Sequence, residues 1–144
     1  MLPERRGRRP GEHHAHPTLF PEHGRRLAAR GVQRLVSNWY LEKGKTRIAQ
    51  RFAVIAARFV KMGCRPPLPI FRSMPRRWGS WTPSGRISLN PDLIRAPTAC
   101  IDYVITHELI HLIHPHHGQA FYELLETLMP DWRSRKQRLE RTLS

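Results

Sequence analysis

Apolar residues in the first half of the chain recur every three or four positions, the spacing of one face of an α-helix. Two such series lie within residues 25–63 and are separated near Gly44, while Gly63 is well placed to end the second. The pattern therefore predicts two amphipathic helices. Their apolar positions are Val32, Leu35, Val36 and Trp39 in the first and Ile48, Phe52, Ile55, Phe59 and Met62 in the second.

Residues 68–90 combine short apolar runs with turn residues, which is typical of β-strands. Runs at 68–74 and 77–81 predict two strands. The second meets a further strand at 86–90 across a turn made by Pro83, Ser84 and Gly85. Tryptophans on such a short strand are more often packing residues than binding platforms, and Trp78 and Trp81 are interpreted in that way. The segment predicts a small antiparallel sheet.

Residues 97–114 have the apolar spacing of a helix that is bounded by proline at both ends. Pro97 is favoured in a first helical turn, and Pro115 stops the helix because the residue before a proline avoids helical angles. Residues 118–143 predict further helices, the first of which ends at Pro130. The apolar positions are Ile101, Val104, Ile105 and Leu112 before Pro115, and Phe121, Leu124, Leu125 and Leu128 after it.

Length and composition set the domain organisation. A chain of 144 residues favours one domain, which we assign to residues 25–144. Residues 1–24 are rich in Arg, Pro, Gly and His without apolar periodicity, and they predict a disordered basic arm. The histidines of this arm, His13, His14 and His16, can hold a metal only weakly because a disordered stretch imposes no geometry.

The charge of the chain is strongly positive, with 25 Lys and Arg against 11 Asp and Glu, a net +14. Such a field attracts nucleic acid, anionic lipid or acidic protein nonspecifically, although scattered basic residues are also common on a solvated surface. Cys64 and Cys100 form no CxxC pair, and no secretory segment follows Met1, so we expect reduced thiols and a cytoplasmic location. No apolar run is long enough to cross a membrane.

Candidate chemistry is concentrated in the sequence HELIH at residues 107–111. His107 and His111 are four residues apart and therefore neighbours on one helix face, where two imidazoles can grip one ion. A zinc ion in such a site activates a water molecule, and Glu108 is the expected general base. The motif predicts a zinc-dependent peptidase that hydrolyses amide bonds. The plainer interpretation is that these histidines belong to a buried helix and bind no metal.

A catalytic zinc needs a third protein ligand, and three histidines along one straight helix converge poorly. We favour His117, because it follows the helix break at Pro115 and the chain can turn back there. His116 is the reserve choice, and His114 is more typical of a helix-end cation or a partner of a ligand. Glu123 and Glu126 are weaker alternatives that would supply a carboxylate.

Residues 74–133 resemble the YgjP-like zinc metallopeptidases, which are related to the SprT-like and WLM proteases. The family pattern contains RWGSC, GxIxLN, APxxxIDYVxxHELxHL and NHSxxFW. The corresponding segments here are residues 77–81, 85–90, 96–112 and 116–122. The resemblance implies a zincin-like α+β fold with a small sheet packed on the active-site helix. It also implies that His107, His111 and His117 are ligands of Zn²⁺ and that Glu108 is the general base.

The chain departs from that pattern at four positions. Trp81 stands in place of Cys, His116 in place of Asn, Gly118 in place of Ser and Tyr122 in place of Trp. None of these changes removes an expected ligand or the base. Arg76, Arg77 and Arg86 are candidates for binding an oxyanion or a substrate carboxylate, with no geometry to choose among them.

Two functions are therefore compared. The first is a cytoplasmic zinc metallopeptidase with a peptide or protein substrate, bound by strand addition at an exposed sheet edge. The alternative is a basic nucleic-acid-associated protein in which the zinc site is structural or vestigial. The sequence leaves open the substrate, the choice between endopeptidase and exopeptidase, and the oligomeric state.

Overall fold

The computed structural model describes residues 26–143 and their side chains from 29 to 142, so the predicted arm at 1–24 and its histidines lie outside the described residues. Four α-helices, one 3-10 helix and three short strands make up this part of the chain. In chain order they are α1 (Arg26–Lys61), β1 (Ile70–Phe71), β2 (Gly79–Trp81), β3 (Ile87–Leu89), the 3-10 helix (Pro91–Arg95), α2 (Thr98–Ile110), α3 (Gln119–Leu128) and α4 (Trp132–Leu143). The predicted α+β class is confirmed.

Helix α1 runs without interruption through Gly44, so the prediction of two helices separated there is wrong. Gly44 is buried against the 3-10 helix, where a Cβ atom would lie 1.8 Å from Cγ2 of Ile94. The glycine is therefore required by a close approach of two elements. A glycine costs a helix interior about 1 kcal/mol, and tertiary packing readily outweighs that amount.

The two halves of α1 have different surroundings. The second half buries Ile48, Phe52, Ile55 and Phe59 in the core. Its Arg51 also donates to both carboxylate oxygens of Asp102 on α2, at 2.8 and 2.7 Å. Most apolar positions of the first half remain exposed, with Leu35 at 71% and Trp39 at 59%, while Val36 is half-buried. The helical periodicity was correctly predicted. Within the described residues, however, α1 contributes core side chains only after Gly44.

The sheet is mixed, with the strand order β1-β3-β2. Strand β2 is antiparallel to β3 as predicted, whereas β1 pairs with β3 in the parallel direction. The loop 72–78 carries the chain from one side of β3 to the other, and Asn90 fixes that loop by donating to the carbonyl oxygens of Met74 and Arg77 at 2.7 and 3.0 Å. Central strand β3 is buried throughout. Strand β2 is an edge strand and contacts α2.

Helix α2 occupies the centre of the fold and contacts α1, the sheet, α3 and α4. It is buried without a break from Tyr103 to His111, more completely than a one-sided apolar stripe predicts. After Ile110 the helix tightens, and the backbone N–H groups of Leu112 and Ile113 bond three residues back, at 3.0 and 2.9 Å. The regular helix thus ends at Ile110, a few residues before the predicted end at residue 114.

Within residues 26–143, no helix combines the length and the apolar character that crossing a membrane requires. Helix α1 spans 36 residues, but its mean hydropathy is low because arginines and lysines recur along it. Helix α2 is strongly apolar, but its 13 residues are too few.

We predict that Gly44→Ala destabilises the protein by about 1–3 kcal/mol, the usual cost of overpacking, because the new methyl group overlaps Ile94. Gly31→Ala is the matched control on the same helix, because no atom of the described residues, apart from its chain neighbours and its own helix backbone, lies within 4 Å of the position that its Cβ would take. That change should raise helix stability by roughly 0.5–1 kcal/mol. Urea denaturation measures both, and a Gly44→Ala protein as stable as the parent would contradict the proposed contact.

Candidate metal centre

Three histidines from two adjoining segments meet at the end of α2. His107 lies in the last turns of α2, and His111 is its C-terminal capping residue. His117 lies in the turn that follows Pro115, next to Gly118, the N-terminal capping residue of α3. The proline ends one helix, and the chain then reverses so that the start of α3 faces the end of α2.

The ring nitrogens of His107, His111 and His117 form one compact group. One nitrogen of each ring lies within 4.8 Å of the others, and Nε2 of His117 is 2.9 Å from Nε2 of His111. Ligands of a tetrahedral zinc ion, each about 2.0–2.1 Å from the metal, are roughly 3.3 Å apart. The observed separations bracket that value, so the three side chains fit a single ion.

The tautomer of His111 is fixed by its backbone neighbours. Its Nδ1 lies 3.2 Å from the carbonyl oxygen of His114 and 3.1 Å from that of Pro115. Carbonyl oxygens only accept hydrogen bonds, so Nδ1 carries the proton and Nε2 of the neutral ring keeps its lone pair. This second contact of the ring is the arrangement that orients histidine ligands in metal sites.

An aromatic frame surrounds the three imidazoles. The ring of Phe121 on α3 lies 4.9, 4.9 and 4.8 Å from the centres of His107, His111 and His117, respectively. The indole of Trp81 on β2 stacks on His111. Sequence reasoning identified Phe121 and Trp81 only as packing residues, since nothing in their spacing indicates which side chains they contact.

Burial keeps the two α2 histidines neutral. His107 is 2% exposed and His111 is 4% exposed. Desolvation is the main cause that lowers the pKa of both rings, that of His107 to about 3. A neutral imidazole is the form that binds a metal, so these rings are ready to act as ligands without losing a proton at neutral pH.

Glu108 is buried beside the histidines, with 1% exposure. Its Oε2 has no hydrogen-bond partner in the described structure and lies 3.7 Å from Nδ1 of His107. The two side chains do not form an ion pair, because desolvation lowers the pKa of His107 and raises that of Glu108 to about 7. His111 and Arg77 act in the opposite direction and lower the pKa of the carboxyl. A carboxyl with a pKa near neutrality can both take and give a proton.

Comparison with protein families places this chain in a known class. A family model described as the YgjP-like metallopeptidase domain matches residues 13–142. The chain belongs to the YgjP-like family. The match covers nearly the whole chain and begins inside the predicted arm, while no curated protein matches the sequence. Membership indicates a metalloprotease class and peptide substrates, and together with the three-histidine group it indicates a metal ion.

The other candidate ligands of this YgjP-like protein lie outside the three-histidine group. His116 is exposed, and His114 contributes only its backbone carbonyl to the site, where it accepts from His111. Glu123 accepts from Gln119 at 2.8 Å, and Glu126 accepts from the indole of Trp132 at 2.6 Å. Each glutamate therefore has a partner away from the metal centre.

The departures from the YgjP-like pattern surround the site without interrupting it. Trp81 contacts His111, and Tyr122, which is 41% exposed, lies 6.4 Å from the ring of His117. Gly118 caps α3 without a side-chain hydrogen bond. Among the arginines, Arg77 is half-buried and lowers the pKa of Glu108, while Arg76 and Arg86 are exposed.

The raised pKa of Glu108 predicts how stability depends on pH. In metal-free protein, the penalty for burying the charged carboxylate is absent below pH 4.5, grows as pH rises, and is complete above pH 7. Glu108→Gln removes it. The variant should therefore match the parent near pH 4 and exceed it by about 3 kcal/mol above pH 7. Urea denaturation with a chelator across this range tests the expectation, and a difference that does not change with pH would contradict it.

Proposed function

We propose that this protein is a zinc metallopeptidase in which His107, His111 and His117 hold the ion and Glu108 is the general base. The convergence of three imidazole nitrogens within 4.8 Å, next to a buried carboxylate, is the observation that carries the proposal. We also propose that residues 25–144 form the peptidase domain. The cytoplasmic location remains a prediction.

The donor set favours zinc among the common ions. Three neutral imidazoles suit Zn²⁺, whereas Mg²⁺ and Ca²⁺ prefer carboxylate and carbonyl oxygens. Three protein ligands leave the fourth position of a tetrahedral ion open for water or substrate. A bound zinc ion supplies Lewis acidity, which activates a water molecule and polarises a carbonyl group.

Glu108 then provides proton transfer. Its carboxylate accepts the proton of the attacking water and delivers it to the nitrogen of the departing amine, so that one peptide bond is broken and the carboxylate is regenerated. Burial supports both steps, because in the metal-free protein desolvation raises the pKa of this carboxyl to about 7 and makes its protonated form accessible near neutral pH. The contacts of His111 with two carbonyl oxygens hold that ligand in place during the reaction.

The peptide substrate would lie along β2. This strand pairs with β3 on one side only, and its other edge has no strand partner among residues 26–143. Strand β2 also contacts α2, so a segment added to its free edge would pass close to the histidines. The nucleic-acid alternative remains a hypothesis drawn from net charge, and the family match gives it no support.

The role of Glu108 is tested with Glu108→Gln. The variant should retain about one zinc per chain, since the amide replaces a residue that is not a ligand. Its hydrolysis of unstructured protein substrates should fall by about 10²–10⁴-fold. Glu123→Gln is the control, because that carboxylate is exposed and its hydrogen-bond partner within the described part of the chain is Gln119. Parent-like cleavage by Glu108→Gln would remove the proposed base.

The third ligand is tested by comparing two adjacent histidines. His117→Ala should reduce bound zinc well below one ion per chain, because two imidazoles alone hold the ion weakly. His116→Ala should keep the metal and the activity, since that side chain is exposed and outside the ligand group. Elemental analysis of both purified variants decides the assignment. Full zinc content in His117→Ala would shift the third ligand elsewhere.

A further inference from the structure

The indole of Trp81 lies flat against the imidazole of His111. The two ring centres are 5.1 Å apart and the planes differ by only 17°. The other rings close to His111, those of Phe121, His107 and His117, meet it at angles of 44°, 71° and 63°. Trp81 is therefore the nearly parallel contact of this histidine, and it restricts any tilt of the imidazole out of its plane.

A hydrogen bond does not account for the place of Trp81. Its Nε1–H is buried and has no partner within the described residues. Tryptophan N–H groups usually find a partner when they are buried, and an unsatisfied one is unfavourable. Packing therefore holds the indole in this position, both against the hydrophobic core and against the ring of His111.

The backbone of Trp81 is held by the sheet. Trp81 is the last residue of β2 and lies opposite Ile87 of β3, which is fully buried. A side chain attached to such a paired strand starts from a fixed point, unlike one on a loop. The sheet and α2 thus reach His111 from different directions, and the stack joins them at the metal centre.

We propose that Trp81 is a positioning residue that holds the His111 imidazole in the orientation needed to bind the metal. This inference rests on the proposed function. An imidazole that donates its lone pair to a divalent ion becomes electron-poor, and the electron-rich face of an indole stabilises an electron-poor ring. The stack is therefore stronger in the metal-loaded protein than in the metal-free one, and Trp81 raises metal affinity.

The experiment measures zinc affinity by competition with a chromogenic chelator, together with the visible absorption of the cobalt(II)-loaded protein. Trp81→Leu removes the flat ring and should weaken zinc binding by roughly threefold to tenfold. It should also change the cobalt spectrum, which reports ligand geometry. Trp81→Phe keeps a ring and should stay within about twofold of the parent. Trp81→Met replaces the leucine variant if that variant does not fold.

Trp132→Leu is the matched control. Trp132 is a buried tryptophan that, like the half-buried Trp81, makes a nearly parallel stack, at 11° to Tyr103, but this stack is not on a histidine of the proposed site. This variant should lose thermal stability while its zinc affinity and cobalt spectrum stay the same. Folded Trp81→Leu or Trp81→Met with parental affinity and spectrum would overturn the inference alone. A parent protein that binds no zinc would overturn the proposed function, and this inference with it.

Discussion

The burial of polar side chains at the end of α2 is the constraint on which the rest of this structure depends. His107, Glu108 and His111 are each at most 4% exposed, at the end of a helix that is largely apolar. Removing such groups from water is costly unless they gain partners. The surrounding elements limit that cost, since His111 contacts two carbonyl oxygens and burial keeps His107 neutral. The buried side-chain atoms that have no hydrogen-bond partner among the described residues include Nδ1 of His107 and Oε2 of Glu108. Both atoms belong to residues of the proposed site.

The elements around α2 have separate tasks in maintaining this arrangement. Helix α1 holds the far side of α2 through the paired contacts of Arg51 with Asp102 and through the core residues of its second half. The sheet brings Trp81 against His111, and α3 brings Phe121 against all three imidazoles. The site thus lies where the sheet, α2 and α3 meet. Side chains that are supported by packed helices and strands are held more precisely than side chains on loops.

The sequence allowed the grouping of His107, His111 and His117 to be anticipated because its geometry is local, while their role as metal ligands stays a proposal. The spacing of His107 and His111 follows from the helical repeat, and Pro115 explains why His117 turns back. Features that depend on distant contacts were harder to predict. The continuity of α1 depends on a meeting of Gly44 with Ile94, fifty positions later, and local propensity alone favoured a break. The parallel pairing of β1 with β3 and the stack of Trp81 on His111 likewise depend on residues far apart in sequence.

The three histidines also lie within one short stretch of chain, 107–117, on either side of Pro115. An ion that joins them closes only a small loop, so it restricts few conformations of the unfolded chain and adds little stability by that route. The hydrophobic core that joins α1, α2 and α3, rather than closure of this loop, therefore holds the three histidines together.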